Sequence, residues 1–171
     1  MNSENAFLIA GIGADFADFF DLEGDVQFLI RLLFAMVLGG VLGWQRESIG
    51  KHAGLRTFMM VCVASALMTS VAITAQFSTA DTSRVVQGLL TGVGFLGAGA
   101  ILKREEQQEV QGLTTAAGIW LTATVGIAVG LGRLGLATIG TGLAFLIFDQ
   151  LGRWEQRMKT REDEIRTKNE D

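Results

Sequence analysis

The stretch QGLLTGVGFLGAGAILKR, residues 87–104, holds five glycines within residues 88–99. Part of it, GVGFLG at residues 92–97, matches the G-x-G-x-x-G pattern that joins a strand to a helix in dinucleotide-binding proteins. Here the pattern lies inside one apolar run over residues 85–102, with no turn residue before it. A helix of that length rises about 27 Å, close to the hydrocarbon thickness of a bilayer. The run therefore predicts a transmembrane helix, and no nucleotide is expected as a partner.

The small residues of this helix fall on two of its faces, at about 100° per residue. One face carries Gly88, Gly92 and Gly99, and the other carries Gly94, Gly97 and Ala98. Small residues let neighbouring helices approach closely in a membrane. Because both faces are smooth, we predict that this helix lies at the centre of a bundle.

The composition is typical of a polytopic membrane protein. The chain has 171 residues, of which 49% are hydrophobic, and it has 22 glycines and no proline. Its charged residues are clustered between long uncharged runs. Cys62 and His52 are the single cysteine and histidine, so an internal disulfide, a multi-cysteine metal site and a histidine-based triad are not expected. We predict no enzymatic activity and no nucleic-acid partner.

Five apolar runs predict an all-α bundle of five transmembrane helices in a lipid bilayer, at residues 26–44, 58–75, 85–102, 114–131 and 134–151. Residues 1–25 are rich in Asp and Phe and predict an acidic interfacial helix. An acidic mouth that gathers cations is the alternative for this segment. Residues 152–171 carry mixed charges and predict a solvated tail.

The basic residues predict the orientation. Loop 43–57, loop 103–113 and the tail together hold eleven Lys and Arg, whereas the opposite side holds Arg84 and Arg133. The positive-inside rule therefore places the N-terminus outside and the tail in the cytoplasm.

Further polar and small residues lie near the outer ends of the helices and within the first span. Arg31 lies five residues into the first span, where it must either snorkel to the interface or find a partner. Asp81, Arg84 and Gln87 are the other candidate polar residues of the outer side. Gly39 and Gly43 form a small-x-x-x-small pair that predicts close helix packing.

A second polar group is predicted at the cytoplasmic side. Its members are Arg46, Glu47, Arg56, Thr57, Arg104 and Asp149. Asp149 would be costly without a partner at its depth, and we predict that it pairs with Arg56. Glu47 would pair with another base and close a network used for partner docking or gating. The alternative is that these residues only anchor helix ends to headgroups.

Three motifs together resemble the membrane domain of the MgtC/SapB family. They are RLLFAMVLGGVLGWQRESIGKHAGLRT at residues 31–57, DTSRVVQGLLTGVGFLGAGAIL at 81–102 and VQGLTTAAGIW at 110–120. The positions that match the family's shared residues are Arg46, Glu47, Gly54, Leu55, Arg56, Thr57, Arg84, Gln87, Gly92, Gly94, Gly97, Gly99, Gly112, Thr114 and Thr115. The chain departs from the family pattern at Gln45, Thr82 and Gln111. It also lacks the soluble C-terminal domain of longer members within its 171 residues.

The resemblance implies a bacterial inner-membrane protein linked to growth in low magnesium and to survival inside host cells. Members were named as magnesium transporters, but many are regarded as regulators of other membrane proteins. We therefore predict a regulator that binds other membrane proteins, with no cofactor. A transporter or channel for Mg²⁺ or another ion is the alternative, in which a homodimer could supply the path. Mg²⁺ is usually bound through one or two carboxylates, and Asp149 is the only acid within the predicted spans.

Overall fold

The computed structural model describes residues 22–48, 53–104 and 109–151. These residues form five α-helices, α1 Leu22–Ser48, α2 Leu55–Thr74, α3 Thr79–Gly99, α4 Leu113–Gly130 and α5 Leu134–Leu146. A π-helical turn, Ile147–Leu151, continues α5. Each predicted apolar run overlaps one of these helices, and the described fold is predominantly helical as predicted.

Most of the two terminal segments lies outside the described residues. The interfacial helix predicted for residues 1–25 overlaps the structure only at residues 22–25, which belong to α1. The predicted tail, residues 152–171, falls wholly outside it.

Polar residues and glycines set several helix ends. α3 begins at Thr79, ahead of the apolar run, because the Ser78 hydroxyl accepts a hydrogen bond from the Asp81 amide at 3.1 Å. Such a side-chain cap satisfies one of the free amides of a helix start. Between α4 and α5, Gly132 adopts φ +74° and lets the chain reverse within a short turn.

A short hairpin occupies part of the segment predicted as a loop. Strands β1 Leu102–Arg104 and β2 Glu109–Gln111 pair in antiparallel register, with Lys103 opposite Val110. Three residues per strand are too few to produce a recognisable alternation of apolar and polar residues. The sequence therefore does not indicate that these two strands pair.

The central helix of the described bundle is α4. It packs against α1, α2, α3 and α5, and more than half of its residues are buried. In the glycine-rich helix α3 only Val93 and Gly97 are buried. The prediction that the glycine-rich helix is central is thus wrong for this single chain.

The two helices differ because the glycines of α4 contact a neighbouring helix and most of those of α3 do not. A Cβ added to Gly126 of α4 would overlap the Cys62 carbonyl oxygen of α2, and one added to Gly130 would lie 2.6 Å from the Ala66 oxygen. In the described part of the chain, no neighbouring helix lies within 4 Å of a Cβ added to Gly88, Gly92, Gly94 or Gly99 of α3. Glycine spacing predicts a smooth surface, but it does not show whether the same chain covers that surface.

Three of the described helices are long and apolar enough to cross a membrane, and they are Gly24–Ser48, Leu55–Thr74 and Leu113–Gly130. The apolar stretch Leu134–Asp149 is shorter. α3 begins with polar residues, among them Asp81 and Arg84.

Candidate functional site

A buried arginine ends α1. Arg46 is 2% exposed, and its Nη2 donates a hydrogen bond to the Thr115 hydroxyl at 2.8 Å. The guanidinium also lies over the Phe148 ring, 4.8 Å from its centroid. Both contacts favour the charged form, since the hydroxyl oxygen and the ring face carry partial negative charge. Three elements that are distant in sequence, namely α1, the start of α4 and the π-helical turn, therefore meet at this side chain.

Part of this polar group is left without a partner. The Arg46 Nε and the Gln45 Oε1 are buried and have no hydrogen-bond partner among the described residues. A buried polar atom without a hydrogen bond is costly, on the order of 1–3 kcal/mol. Such a cost is tolerated where the surrounding packing holds the side chain in place.

Glu47 caps the next helix. Its carboxylate accepts a hydrogen bond from the Leu55 amide at 2.8 Å. Gly54 permits this approach, because a Cβ there would lie 2.7 Å from the Glu47 Oε2. A carboxylate at a helix N-terminus satisfies a free amide and complements the helix dipole. We predicted that Glu47 would pair with a basic side chain, but in the structure its described partner is this backbone amide.

A left-handed glycine positions Thr115. Gly112 adopts φ +95°, and a Cβ on it would overlap the Ala100 carbonyl oxygen at the end of α3. The chain thereby turns from β2 into α4 in close contact with α3, and Thr115 comes one turn later at the height of Arg46. Only glycine adopts this conformation without strain in so little space. Thr114 is exposed.

The three sequence motifs thus meet at one end of the bundle. The first supplies Arg46, Glu47 and Gly54, the second supplies Ala100, and the third supplies Gly112 and Thr115. We call Gln45, Arg46, Thr115 and Phe148 the arginine cluster.

The structure separates other members of the predicted cytoplasmic group. Arg56 and Thr57 are exposed and line a cleft between α2 and α3. Asp149 is half-buried in the π-helical turn, which packs against α1. Arg104 lies in β1, and its side chain is outside the described residues. The predicted pairing of Arg56 with Asp149 stays a prediction.

The predicted outer polar residues form no single group. Asp81 and Arg84 form an ion pair at 3.3 Å within the first turns of α3, where both are exposed. Arg31 is half-buried, and its Nη2 lies 3.4 Å from the position of a Cβ on Gly132, in the turn between α4 and α5. Gln87 is exposed, and its carbonyl accepts from the Thr91 hydroxyl at 2.9 Å.

The glycines predicted to pack divide into covered and open ones. Gly39 and Gly43 lie against α2, since added Cβ atoms would be 2.8 Å from the Cys62 Cβ and 2.7 Å from the Leu55 Cα. Gly97 faces Ala116 of α4, with 3.6 Å between the added Cβ and the Ala116 Cβ. The open glycines are Gly88, Gly92, Gly94 and Gly99.

The sequence did not indicate that Gln45 and Phe148 belong to the arginine cluster. The burial of Arg46 had a detectable signal, because Ala35, Leu38 and Leu42 precede it at helical spacing and are all buried. No sequence signal indicates the position of Phe148, because an aromatic residue in an apolar run does not show which cation it will contact.

The comparisons with known proteins assign the family. A model of the MgtC family matches residues 32–157. The chain belongs to the MgtC family. The resemblance seen in the three motifs is thereby confirmed, and the chain is a bacterial membrane protein of this family. No solved structure matches it.

Relatives within the MgtC family differ in length. Protein SrpB of Synechococcus elongatus is 44% identical over 146 residues, which cover 78% of this chain and 80% of that protein. Putative magnesium transporter YhiD of Escherichia coli is 38% identical over 130 residues, covering 72% of this chain and 60% of YhiD. Protein MgtC of Salmonella typhimurium is 36% identical over 114 residues, covering 67% of this chain and 48% of MgtC. The chain thus spans about half to four-fifths of these relatives.

Proposed function

We propose that this member of the MgtC family is a regulator that binds a transmembrane helix of another bacterial inner-membrane protein, without catalysing a reaction. We further propose that it crosses the membrane five times, with its N-terminus outside and its tail in the cytoplasm. Its activity would support growth in low magnesium and survival inside host cells, as the family resemblance implies.

The observation that carries the proposal is the uncovered face of α3. We define the outer face of α3 by Gln87, Thr91, Gly94 and Ala98, which are all exposed. Among the described residues, a Cβ added to Gly94 would meet no atom of a neighbouring element within 4 Å. Helices associate in lipid mainly through close packing at small residues, with polar side chains adding hydrogen bonds across the contact. A smooth face that the described residues leave open is suited to a helix from another protein.

Transport of Mg²⁺ is the alternative, and the name of the relative YhiD, putative magnesium transporter, favours it. Two features of the described chain weigh against a path through a single copy. Among the described residues, no three His, Cys, Asp or Glu side chains are grouped so that they could hold a metal ion. The contacts of Gly39, Gly126 and Gly130 also bring α1, α2 and α4 together at backbone distance.

A growth assay tests the regulatory role. Gly94→Ile should fail to restore growth of a deletion strain in low magnesium, because the branched side chain would keep a partner helix away. Gly142→Ile, at another glycine with nothing within 4 Å, is the matched control and should restore growth. Both variants should keep the wild-type melting temperature in detergent, since neither site is covered.

The same variants separate regulation from transport. Purified protein in liposomes containing a Mg²⁺-sensitive dye should show no flux above that of empty liposomes. If the wild type shows Mg²⁺ flux and every variant that fails to support growth loses it, the result would favour the transporter. If Gly94→Ile restores growth, the outer face of α3 is not the docking surface.

A further inference from the structure

A cleft of about 600 Å³ lies between α2 and α3, away from both the arginine cluster and the outer face of α3. On the α2 side its wall is one helix face at regular spacing, including Thr57, Met60 and Met68. On the α3 side it is lined by Gly88 and Gly92. Met60 is 72% exposed and Met68 is 52% exposed, so the cleft is open along its length.

The dimensions of the cleft match one leaflet of a bilayer. Arg56 and Met68, at its two ends on α2, are separated by about 18 Å of helix rise. The hydrocarbon part of one leaflet is about 15 Å thick, half of the core of a bilayer. A chain lying in the cleft would therefore run from the headgroup level towards the middle of the membrane.

The polar groups of the cleft are concentrated at one end. Arg56 is the only charged residue that lines it within the described chain, and Thr57 lies beside it. Ser65, the remaining polar residue of the lining, is 2% exposed and belongs to the core of the bundle. The wall has one cation at one end and methionine, leucine and glycine along the rest. It is complementary to an amphiphile with an anionic head.

We propose that this cleft binds one phospholipid with an anionic headgroup. Its phosphate accepts hydrogen bonds from the Arg56 guanidinium and the Thr57 hydroxyl, and an acyl chain lies along Met60 and Met68 against Gly92. Arginine is well suited to phosphate, because its planar fork can donate two parallel hydrogen bonds. The proposal does not depend on the regulatory role, which uses the outer face of α3. With the proposed orientation the headgroup lies in the cytoplasmic leaflet, where anionic lipids give a negative surface potential.

The size of the cleft suits a small amphiphilic molecule. The volume of about 600 Å³ lies within the range of sites that bury small molecules.

Native mass spectrometry of the full chain tests the proposal. The protein is equilibrated in detergent with equal amounts of phosphatidylglycerol and phosphatidylethanolamine, and the retained lipid is identified. One phosphatidylglycerol should be retained in preference. Arg56→Gln should lower its affinity about tenfold, the effect of losing about 1.4 kcal/mol. Arg56→Lys should retain part of the preference, and Arg84→Gln, at an exposed arginine near the opposite end of α3, should retain all of it.

Glycine variants test the position of the acyl chain. Gly92→Leu should lower retention of both lipids by filling the cleft, whereas Gly94→Leu on the outer face should not. Equal retention of the two lipids by the wild type, or unchanged retention by Arg56→Gln, would overturn the proposal. Unchanged lipid binding by Gly92→Leu, together with loss of growth in low magnesium, would instead assign the cleft to a partner helix.

A charge exchange tests the competing ion pair. If Arg56 neutralises Asp149, the variant that combines Arg56→Asp with Asp149→Arg should be more stable than the worse single variant. That recovery would overturn the lipid assignment. The lipid proposal predicts no recovery, together with loss of phosphatidylglycerol from Arg56→Asp and from the double variant.

Discussion

Arg46 remains buried because it is held by contacts from other elements. The hydroxyl of Thr115 accepts from its Nη2, and the Phe148 ring covers one side of the guanidinium. An isolated cation in this position would be strongly unfavourable, and removing a partner from a buried charged group is costly. The Thr115 contact is consequently the point at which the cluster can be weakened selectively.

Thr115→Val should destabilise the chain by about 1.5–3 kcal/mol, because it removes the acceptor and leaves a buried cationic donor unpaired. Thr115→Ser keeps a hydroxyl and should recover most of the loss. The measurement is the melting temperature of the purified protein in detergent.

The control is Thr124→Val on the same helix, where the hydroxyl donates to the Trp120 carbonyl at 3.1 Å. This variant should lose less than 0.5 kcal/mol, a typical surface effect. Equal melting temperatures for Thr115→Val and Thr124→Val would show that the Thr115 contact contributes nothing to stability.

Among the elements, α4 organises the packing because its glycines lie against neighbouring helices. Gly126 and Gly130 bring α2 to backbone distance, and the buried Thr122 bonds the Gly118 carbonyl of its own helix at 2.8 Å. α3 contacts this core through Val93 and Gly97, and the described residues leave its remaining glycines uncovered. Glycines therefore have different consequences in different helices.

Replacing one covered and one open glycine by alanine tests this difference. Gly126→Ala should destabilise by about 1–3 kcal/mol through overpacking, since its Cβ would overlap the Cys62 carbonyl oxygen. Gly142→Ala meets nothing within 4 Å and should be neutral, or stabilising by up to about 1 kcal/mol through helix propensity. Detergent melting of the two variants side by side gives the comparison. An unchanged or higher melting temperature for Gly126→Ala would show that α2 and α4 do not touch there.

For the whole molecule, the main question is how the bundle lies across the membrane. Three helices are long and apolar enough to span it. The remaining two, α3 and α5, would complete five crossings and leave the hairpin and the arginine cluster on the cytoplasmic side. The distribution of basic residues supports this orientation.

Cysteine labelling in intact cells tests the orientation in a Cys62→Ser background. Ser78→Cys precedes α3 and should react with a membrane-impermeant maleimide added from outside. Gln107→Cys, in the segment between β1 and β2, should react only after the cells are opened. The reverse pattern would show that the bundle is inserted the other way round.

Much of the helical framework was predictable because it depends on local composition. Uncharged runs of about twenty residues have to form helices in lipid, and their positions need no knowledge of the rest of the chain. The partner of Glu47 was harder to predict, because carboxylates bond backbone amides as readily as bases. No local pattern in the sequence indicates that Leu102–Arg104 forms a hairpin strand. No local pattern indicates that Phe148 lies over Arg46.

The amino-acid order alone was enough to place the apolar helices, indicate the family and suggest which glycines form smooth surfaces. Only the folded chain showed that Gly126 and Gly130 are covered, whereas Gly88, Gly92, Gly94 and Gly99 are open. It also brought Arg46 together with Thr115, a residue 69 positions away. The physical reason is that helix formation depends on neighbours in sequence, whereas burial and side-chain pairing depend on which helix faces meet. Several helices carry similar stripes of small residues, so the sequence does not determine which of these faces pack together.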